Sequence, residues 1–454
     1  MAPLACLLQA QGHQVTGSDG PLYPPMSDLL AAAGIRPWEG YEAAHLDPAP
    51  DVVVIGNAVR RDNPEAVEAE RRGLARLSMP EALARFFLAD RRPLVVSGTH
   101  GKTTTSAMAA SVWCDCGRDP GFLIGGVPID LGTSFRSGSG ARFVIEGDEY
   151  NAAYFDRGAK FLHYRPETLI LTSVEYDHAD LYPSPAALLD AYARLIAMVP
   201  ESGLVVACGD TAEVRQLAAA SRAPVVLYGE QEGNAVRLLA PPVADRAGIR
   251  FRLRDESGEE FEAGMPLWGI HNAVNALAVW AAARRDGLPA GEIAAALPRF
   301  RGVKRRQELL AEAQDIVVID DFAHHPTAVE KTLSSMRMRF PGRRILACFE
   351  PRSLTAGRAF LLAGYARAFA LADRAYFAPI FHRDRLAPED RLDLVALASS
   401  LSAAGTPCVL AEDLASLAST VLADVVPGDV VLTMSSGSFG GLPRRLAAAV
   451  LAGG

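Results

Sequence analysis

Short apolar runs alternate with segments of helical character along most of the chain. Runs of consecutive hydrophobic residues are typical of strands buried on both faces of a parallel sheet. The predicted strands are 13–16, 51–55, 94–96, 143–145, 168–174, 204–207, 225–228, 316–319, 345–349, 375–377, 408–410 and 430–433. Helices are predicted at 3–11, 27–33, 64–73 and 272–285. The alternation predicts an α/β protein built on parallel sheets.

One pair of segments departs from this pattern. Residues 248–254 and 260–265 alternate apolar and polar positions around Glu256-Ser257-Gly258, which predicts an antiparallel hairpin. A polar, proline-containing stretch at 90–93 reads as a linker, and a new strand–helix series begins near Gly302. We therefore expect three α/β domains at residues 1–91, 92–301 and 302–454.

Composition narrows the class of protein. Half of the 454 residues are hydrophobic and 22% are charged, which excludes a disordered chain. The net charge of −8 argues against general nucleic-acid binding, because that needs a basic surface. The six cysteines form no metal-binding spacing, no apolar run is long enough for a membrane span, and the start lacks a signal peptide. We expect a cytoplasmic protein that binds neither nucleic acid nor membrane.

The strongest local motif is a phosphate-binding loop between a predicted strand and a predicted helix. It reads Gly98-Thr99-His100-Gly101-Lys102-Thr103-Thr104. Backbone N–H groups at a helix start hold phosphate oxygens, Lys102 can reach the terminal phosphates, and the Thr103 hydroxyl can ligate Mg²⁺. Only four of the 45 basic residues are lysines, so Lys102 stands out. The alternative, a flexible turn that contains these letters by chance, fits the flanking strand and helix less well.

Candidate metal ligands are predicted just after two neighbouring strands. Glu146 directly follows the predicted strand 143–145, and His178 follows the predicted strand 168–174. The carboxyl ends of parallel strands form ligand sites, so Glu146 and His178 are candidate metal ligands together with Thr103. The alternatives are a structural histidine at His178 and solvated or capping roles for Asp148, Glu149 and Asp180.

Five motifs together resemble the Mur ligase family of ATP-dependent amide-forming ligases. They are the phosphate loop, Glu146 with Asp148-Glu149, Asp177-His178-Ala179-Asp180, His271-Asn272-Ala273-Val274-Asn275, and Asp321-Phe322-Ala323-His324-His325-Pro326. The resemblance implies three domains, a Rossmann-like one that binds a UDP-sugar, a central P-loop ATPase-like one and a Rossmann-like carboxyl-terminal one. It also implies ATP and Mg²⁺ as cofactors.

The resemblance assigns roles to individual residues around the nucleotide. Asn272, and less strongly Asn275, would approach the adenine, Asp321 would bind the ribose, and Arg306 would reach the γ-phosphate. Ordinary alternatives are a helix N-cap at Asn272 and a solvated pair at Arg305 and Arg306.

Other segments are similar to the family's branch that joins a salvaged murein tripeptide to UDP-N-acetylmuramate. They are Glu146–Tyr150, Phe155-Asp156, Lys160–Tyr164 and Phe349–Ser353. The substrate-binding candidates are Asp19, Asn57, His324, His325 and Arg352. The family's first strand and glycine-rich turn have no counterpart, because Met1 falls inside the following helix; we expect an upstream start codon or a trimmed chain.

The implied reaction has two steps. The lactyl carboxylate attacks the γ-phosphate, and the amine of the tripeptide opens the resulting acyl phosphate; Lys102, Arg306 and a base among His178, His324 and His325 would assist. Hinges are expected near Arg92 and Gly302, and the protein is expected to be a monomer or a weak homodimer. The rival hypotheses are a ligase that adds free L-alanine, a P-loop ATPase or kinase acting with a protein partner, and an inactive scaffold.

Overall fold

The computed structural model describes residues 1–22, 26–179 and 181–453. The amino-terminal part contains two separate pairs of parallel strands, Ser18–Asp19 with Trp38–Glu39 and Val53–Ile55 with Arg76–Ser78. Its helices are Ala2–Ala10, Met26–Ala32, Pro64–Arg71 and Met79–Leu83, with a 3₁₀ turn at Ala43–Leu46 and a π turn at Ala84–Leu88. Asp180, one of the sequence candidates, lies outside the described residues.

An eleven-stranded mixed sheet forms the centre of the molecule. Its strand order is Val243–Asp245, Gly248–Arg254, Val236–Leu238, Val225–Gly229, Leu204–Cys208, Thr168–Leu171, Arg92–Ser97, Arg142–Gly147, Gly121–Leu123 and Phe135–Arg136, with Glu260–Met265 paired to Gly248–Arg254. The helices are Lys102–Asp115, Pro185–Ala197, Ala212–Ala219, Ile270–Arg285 and Ala290–Ala296, and short 3₁₀ turns lie at Lys160–His163 and Leu297–Arg299. The predicted hairpin at 248–265 is present.

Two hydrophobic cores cover the faces of this sheet. Leu94 and Val96 point to one face, where helices Lys102–Asp115 and Ile270–Arg285 pack, and Val95 points to the other. Successive strand residues alternate between faces, so a strand with an apolar residue at every position is buried on both. Helix Pro185–Ala197 and part of the amino-terminal region pack on the second face.

The carboxyl-terminal part is a six-stranded sheet with a core on each face. Its strand order is Glu308–Ala313, Ile316–Asp321, Asp429–Met434, Arg344–Phe349, Arg374–Phe377 and Cys408–Leu410, and only the first strand is antiparallel to its neighbour. The helices are Pro326–Arg339, Leu362–Phe369, Leu394–Ala403, Leu414–Asp424 and Leu442–Ala452, with 3₁₀ turns at Ala359–Leu361, Arg383–Arg385, Pro388–Asp390 and Phe439–Gly441.

The α/β architecture in three parts is confirmed, and each sheet lies inside one of the predicted ranges 1–91, 92–301 and 302–454. We keep those boundaries as a proposal. Within the described residues, no helix is long and apolar enough to cross a membrane.

Two local predictions are wrong. Residues 13–16 form no strand, because strand pairing begins only at Ser18, which lies opposite Trp38. Arg92 does not lie in a linker but begins a strand, and its guanidinium pairs with Glu167 at 2.7 Å and Asp286 at 3.2 Å. These ion pairs tie Arg92 to the central domain, so a hinge at this residue is not favoured.

Candidate active site

Three adjacent parallel strands supply the site at their carboxyl ends. Arg92–Ser97 lies between Arg142–Gly147 and Thr168–Leu171, in register with both. The chain leaves the first strand through the phosphate loop into helix Lys102–Asp115, while the loops after the other two strands carry the acidic residues. Gly98 and Gly101 have φ of +130° and +83°, and a side chain at Gly98 would collide with the Ser173 backbone. Glycine is therefore required where the loop packs on its neighbour.

Lys102 lies in a buried ion-pair cluster. Its Nζ is 2.9 Å from Glu149 Oε2 and donates to the Gly98 carbonyl at 2.6 Å. His178 Nε2 is 2.8 Å from Oε1 of the same Glu149, whose carboxylate is buried. Burial disfavours the Lys102 ammonium, but the carboxylates of Glu149, Asp148 and Glu146 outweigh that effect and raise its pKa. The lysine is held charged at the start of the helix, where a phosphate would lie.

Glu149 is buried and pairs with Lys102 and His178, which the sequence pattern does not predict. Solvated or capping roles were among the alternatives for it, and the structure contradicts them for Glu149, which is 3% exposed. Burial opposes its ionisation, but Lys102 and His178 prevail and lower its pKa to about 2. Glu149 therefore orients both the lysine and the histidine.

Replacing Glu149 by glutamine should destabilise the folded chain by about 3–5 kcal/mol at pH 7, because a buried charge loses its partner. The ionised carboxylate stabilises the fold above its ordinary pKa of 4.5, and that contribution is lost as the pH falls toward about 2. Urea unfolding of the native chain and Glu149→Gln should therefore differ more at pH 7 than at pH 3. The control is Glu260→Gln, which removes a solvent-exposed partner of Arg252 and Arg254. Equal losses in both variants would contradict the buried-pair interpretation.

Thr103, Glu146 and Arg306 meet beside the lysine. The Thr103 hydroxyl donates to Glu146 Oε1 at 2.8 Å, and Arg306 Nη2 donates to Thr103 Oγ1 at 3.1 Å across 203 positions of sequence. Glu146 Oε2 also accepts from the Gly125 N–H at 2.8 Å, and burial raises the pKa of this carboxyl. Arg306 lies over the Phe322 ring at 4.6 Å. The carboxyl-terminal part thus places a cation on the phosphate loop, and Arg306 is not part of a solvated pair.

The two residues predicted to approach the adenine, Asn272 and Asn275, have different contacts. The amide Nδ2 of Asn272 donates to the Trp268 carbonyl at 2.7 Å, and its helix begins at Ile270, so Asn272 is not the N-cap. Asn275 lies against the phosphate loop, because a side chain at Gly101 would meet its Oδ1 at 3.0 Å. Thr99 at the loop start exchanges hydrogen bonds with Glu175, and Thr104 belongs to the first turn of the helix.

Asp321 is buried, and both of its carboxylate oxygens accept hydrogen bonds. Its oxygens accept from the N–H groups of Gln307 at 2.8 Å and Ala323 at 2.7 Å, and from the Thr332 hydroxyl at 3.3 Å. Burial raises the pKa of this carboxyl. Its contacts in the structure fix the chain that carries Arg306, and a ribose contact stays a prediction.

A group of imidazoles joins the central and carboxyl-terminal parts. His325 Nδ1 is 3.5 Å from Glu175 Oε2, and His100 Nε2 is 3.3 Å from the same oxygen. His324 Nε2 is 3.9 Å from Asp177 Oδ2, while Nδ1 of that ring lies 3.0 Å from the Phe322 carbonyl. Burial lowers the pKa values of His324 and His325, the latter to about 4. Both imidazoles are therefore neutral at pH 7.

Arg352 lies in a different part of the carboxyl-terminal domain. Its guanidinium lies 3.8 Å from the centre of the Phe381 ring and 3.5 Å from Glu350. Ser435 donates to the same Glu350 at 2.5 Å, and Gly437 packs directly against Arg352. The segment 435–437 thus lies beside Arg352.

An arginine-rich cavity of about 500 Å³ lies between the amino-terminal and central parts. Its lining includes Asn57, Arg60, Arg61, Asn151, Tyr154 and Arg157. Asn57 Nδ2 donates to the Asn151 carbonyl at 3.2 Å, which closes one wall. Asp19 is not among the lining residues and accepts a hydrogen bond from Tyr41 at 3.2 Å. Asn57 therefore lines the arginine-rich cavity, whereas Asp19 does not.

Family models match along the chain. The Mur ligase family, catalytic domain model covers residues 1–91, the Mur ligase middle domain model 96–283, and the Mur ligase, glutamate ligase domain model 305–437. The chain belongs to the Mur ligase family, whose members are ATP-dependent ligases that form C–N bonds.

Individual relatives refine the comparison. The UDP-N-acetylmuramate–L-alanyl-γ-D-glutamyl-meso-2,6-diaminoheptandioate ligase of Escherichia coli K12 is 38% identical over 98% of this chain and 95% of its own. A UDP-N-acetylmuramate–L-alanine ligase from Rubrobacter xylanophilus is 36% identical over 84% of this chain and 82% of its own. The crystal structure of a murein peptide ligase from Psychrobacter arcticus aligns with a TM-score of 0.73 at 32% identity, covering 99% and 96% of the two chains.

Proposed function

We propose that this protein joins L-alanyl-γ-D-glutamyl-meso-diaminopimelate to UDP-N-acetylmuramate at the expense of ATP, in peptidoglycan recycling. The nearly full-length similarity to the Escherichia coli tripeptide ligase carries the choice of substrates. The contact between Arg306 and Thr103 supports the chemistry, because it brings a second cation to the phosphate loop. We further propose a cytoplasmic location and a monomeric or weakly dimeric state.

In the first step, a lactyl oxygen attacks the γ-phosphorus and ADP leaves. Lys102 and Arg306 would stabilise the negative charge on the transferring phosphoryl group, so positioning and electrostatics supply most of the catalysis. The carboxylate becomes an acyl phosphate, whose phosphate is a good leaving group. His325 contacts Glu175 and Thr355 accepts from the Ala179 N–H, and we propose that these contacts hold the carboxyl-terminal part over the acyl phosphate and limit the entry of water.

A magnesium ion fits beside Thr103 and Glu146. Both offer oxygen atoms, and Mg²⁺ is commonly bound by one or two protein oxygens together with substrate phosphates. When bound, the ion would supply positive charge to the phosphates. His178 was predicted as a third ligand, but its ion-pair partners among the described residues are Glu149 and Asp177, so a role in orienting Glu149 fits the contacts better.

In the second step, the tripeptide amine attacks the acyl carbon and loses a proton. His324 is the best placed base of the three candidates. The Nδ1–H of its neutral ring would donate to the Phe322 carbonyl, which leaves the Nε2 lone pair free near Asp177. By contrast, the contact with Glu149 and the charge of Asp177 outweigh burial and raise the pKa of His178, and its Nε2 is already paired with Glu149 at 2.8 Å. Arg352 is the proposed anchor for a tripeptide carboxylate.

The arginine-rich cavity is the proposed site for the UDP group. Arg60, Arg61 and Arg157 line it together with Asn57, and guanidinium groups pair well with phosphate oxygens. Arg157→Ala should raise the KM for UDP-N-acetylmuramate by roughly tenfold, an effect of about 1.4 kcal/mol, with little change in the KM for ATP. Arg222→Ala, between helix Ala212–Ala219 and strand Val225–Gly229 and not among the residues lining the cavity, is the matched control. An unchanged KM for the UDP-sugar in Arg157→Ala would contradict the assignment of this cavity.

The decisive assay compares two amines. The protein is incubated with ATP, Mg²⁺ and UDP-N-acetylmuramate plus either the tripeptide or L-alanine, and product mass and phosphate are measured. We expect product with the tripeptide and none with L-alanine. Product with L-alanine alone would support the second candidate, favoured by the 36% identity to the Rubrobacter xylanophilus enzyme. Phosphate release without product in any mixture would support an ATPase.

A further inference from the structure

We propose that His100, Glu175 and His325 bind a divalent transition-metal ion of the zinc class, which links the phosphate loop to the carboxyl-terminal domain. His100 lies in the phosphate loop, and Glu175 follows the neighbouring strand Thr168–Leu171. His325 immediately precedes helix Pro326–Arg339 of the carboxyl-terminal part. One ion at this position would contact both parts of the chain.

Two of the three separations between ligand atoms match those of a tetrahedral site. His100 Nε2 and Glu175 Oε2 are 3.3 Å apart, and His325 Nδ1 and the same Oε2 are 3.5 Å apart. Bonds of about 2.0–2.2 Å at tetrahedral angles place neighbouring ligand atoms about 3.3–3.6 Å apart. All three atoms lie within 4.8 Å of one another, so a small rotation of one imidazole completes the geometry.

His325 supplies a second, independent observation. Its Nδ1 is buried without a hydrogen-bond partner among residues 1–22, 26–179 and 181–453, and the residue is 8% exposed. A buried polar atom is normally satisfied, so an unpaired imidazole nitrogen 3.5 Å from a carboxylate oxygen, on a ring 4.9 Å from a second imidazole, indicates a missing partner. Burial and the nearby His100 lower the pKa of His325 to about 4, which keeps the lone pair on that ring available at neutral pH.

The surrounding residues hold the carboxylate ligand in place. Thr327 Oγ1 donates to Glu175 Oε2 at 2.6 Å, and Thr99 both donates to and accepts from the Glu175 backbone at 3.0 and 2.8 Å. The N–H of His100 is fixed by Ser173 Oγ at 3.0 Å. Metal ligands are usually oriented by an outer shell of hydrogen bonds of this kind.

The donor set selects the metal. Two imidazole nitrogens and one carboxylate oxygen suit Zn²⁺, Co²⁺ or Ni²⁺, whereas Mg²⁺ prefers oxygen ligands such as Thr103 and Glu146. The proposed ion is thus distinct from the magnesium that accompanies the nucleotide. Three protein ligands leave one tetrahedral position for water or a substrate oxygen.

Titration of the full-length protein with Zn²⁺ and with Co²⁺, in excess Mg²⁺ and without ATP, tests the proposal. We expect one tightly bound ion per chain, the visible absorption bands of tetrahedral Co²⁺, and a higher melting temperature with Zn²⁺. His325→Ala and Glu175→Gln should weaken Zn²⁺ binding by more than ~100-fold, and Thr327→Val by roughly 10–100-fold, since an outer-shell contact is lost.

His13→Ala is the matched control, because it removes an exposed histidine and keeps all six cysteines. Circular dichroism without metal establishes that each variant is folded. Thr327→Val keeps all three ligands, so weaker Zn²⁺ binding in this variant reports only the lost hydrogen bond to Glu175. The proposal is overturned if the native chain binds no Zn²⁺ under these conditions. It is equally overturned if the ligand variants bind Zn²⁺ as tightly as His13→Ala does, because the ion would then lie on cysteines or other groups.

Discussion

Lys102→Ala should lower the rate of ligation by at least ~10²-fold, because the charge that stabilises the transferring phosphoryl group is lost. The side chain lies at the start of the helix after the phosphate loop, paired with Glu149 at 2.9 Å. Product formation under saturating ATP and tripeptide is the measurement. Lys331→Ala, an exposed lysine on the helix after His325, should keep full activity.

A variant that merely unfolds would also lose activity, so a second variant separates the two causes. Lys102→Met combined with Glu149→Gln removes both charges of the buried pair, which perturbs the fold less than removing one. This double variant should melt close to the native chain and still show the ~10²-fold loss. Near-normal turnover in either variant would refute the role assigned to Lys102.

Arg306→Ala should lower kcat by at least ~10²-fold, since arginines that contact a transferring phosphoryl group contribute 10³–10⁵ in nucleotide hydrolases. The guanidinium reaches Thr103 at 3.1 Å from a segment outside the central domain. Arg306→Lys should restore little, because lysine lacks the planar fork of the guanidinium.

The loss in Arg306→Ala should fall mainly on kcat, with a small effect on the KM for ATP, because the contact strengthens as charge develops. Arg301→Ala, an exposed arginine five positions earlier, is the matched control. A loss confined to the KM for ATP would show that Arg306 only binds the nucleotide.

Strands, helices and loops that depend on consecutive residues could be predicted from the sequence. The strand before the phosphate loop, the loop and its helix are encoded by consecutive residues, and the alternating segments 248–254 and 260–265 form the expected hairpin. Glu308–Ala313 was missed because it is an edge strand with charged positions, and the apolar-run pattern describes only strands buried on both faces.

Long-range juxtaposition could not be predicted. Glu149 is buried because its loop lies 47 positions away from Lys102 in sequence but adjacent to it in the sheet. The rotation of helix Ile270–Arg285 decides that Asn275, not Asn272, lies against Gly101, and no local pattern reports that rotation. Likewise, His100 and His325 come within 4.9 Å, measured between ring centres, only through the packing of two sheets.

In the proposed reaction, the terminal phosphoryl group of ATP passes to the muramate carboxylate before the amine attacks. Oxygen-isotope transfer tests it directly, with UDP-N-acetylmuramate carrying ¹⁸O in both lactyl carboxylate oxygens. One ¹⁸O should appear in each inorganic phosphate released during ligation to the tripeptide. Ligation that yields phosphate free of ¹⁸O would rule out an acyl phosphate, because the carboxylate oxygen would then never have bonded to the γ-phosphorus.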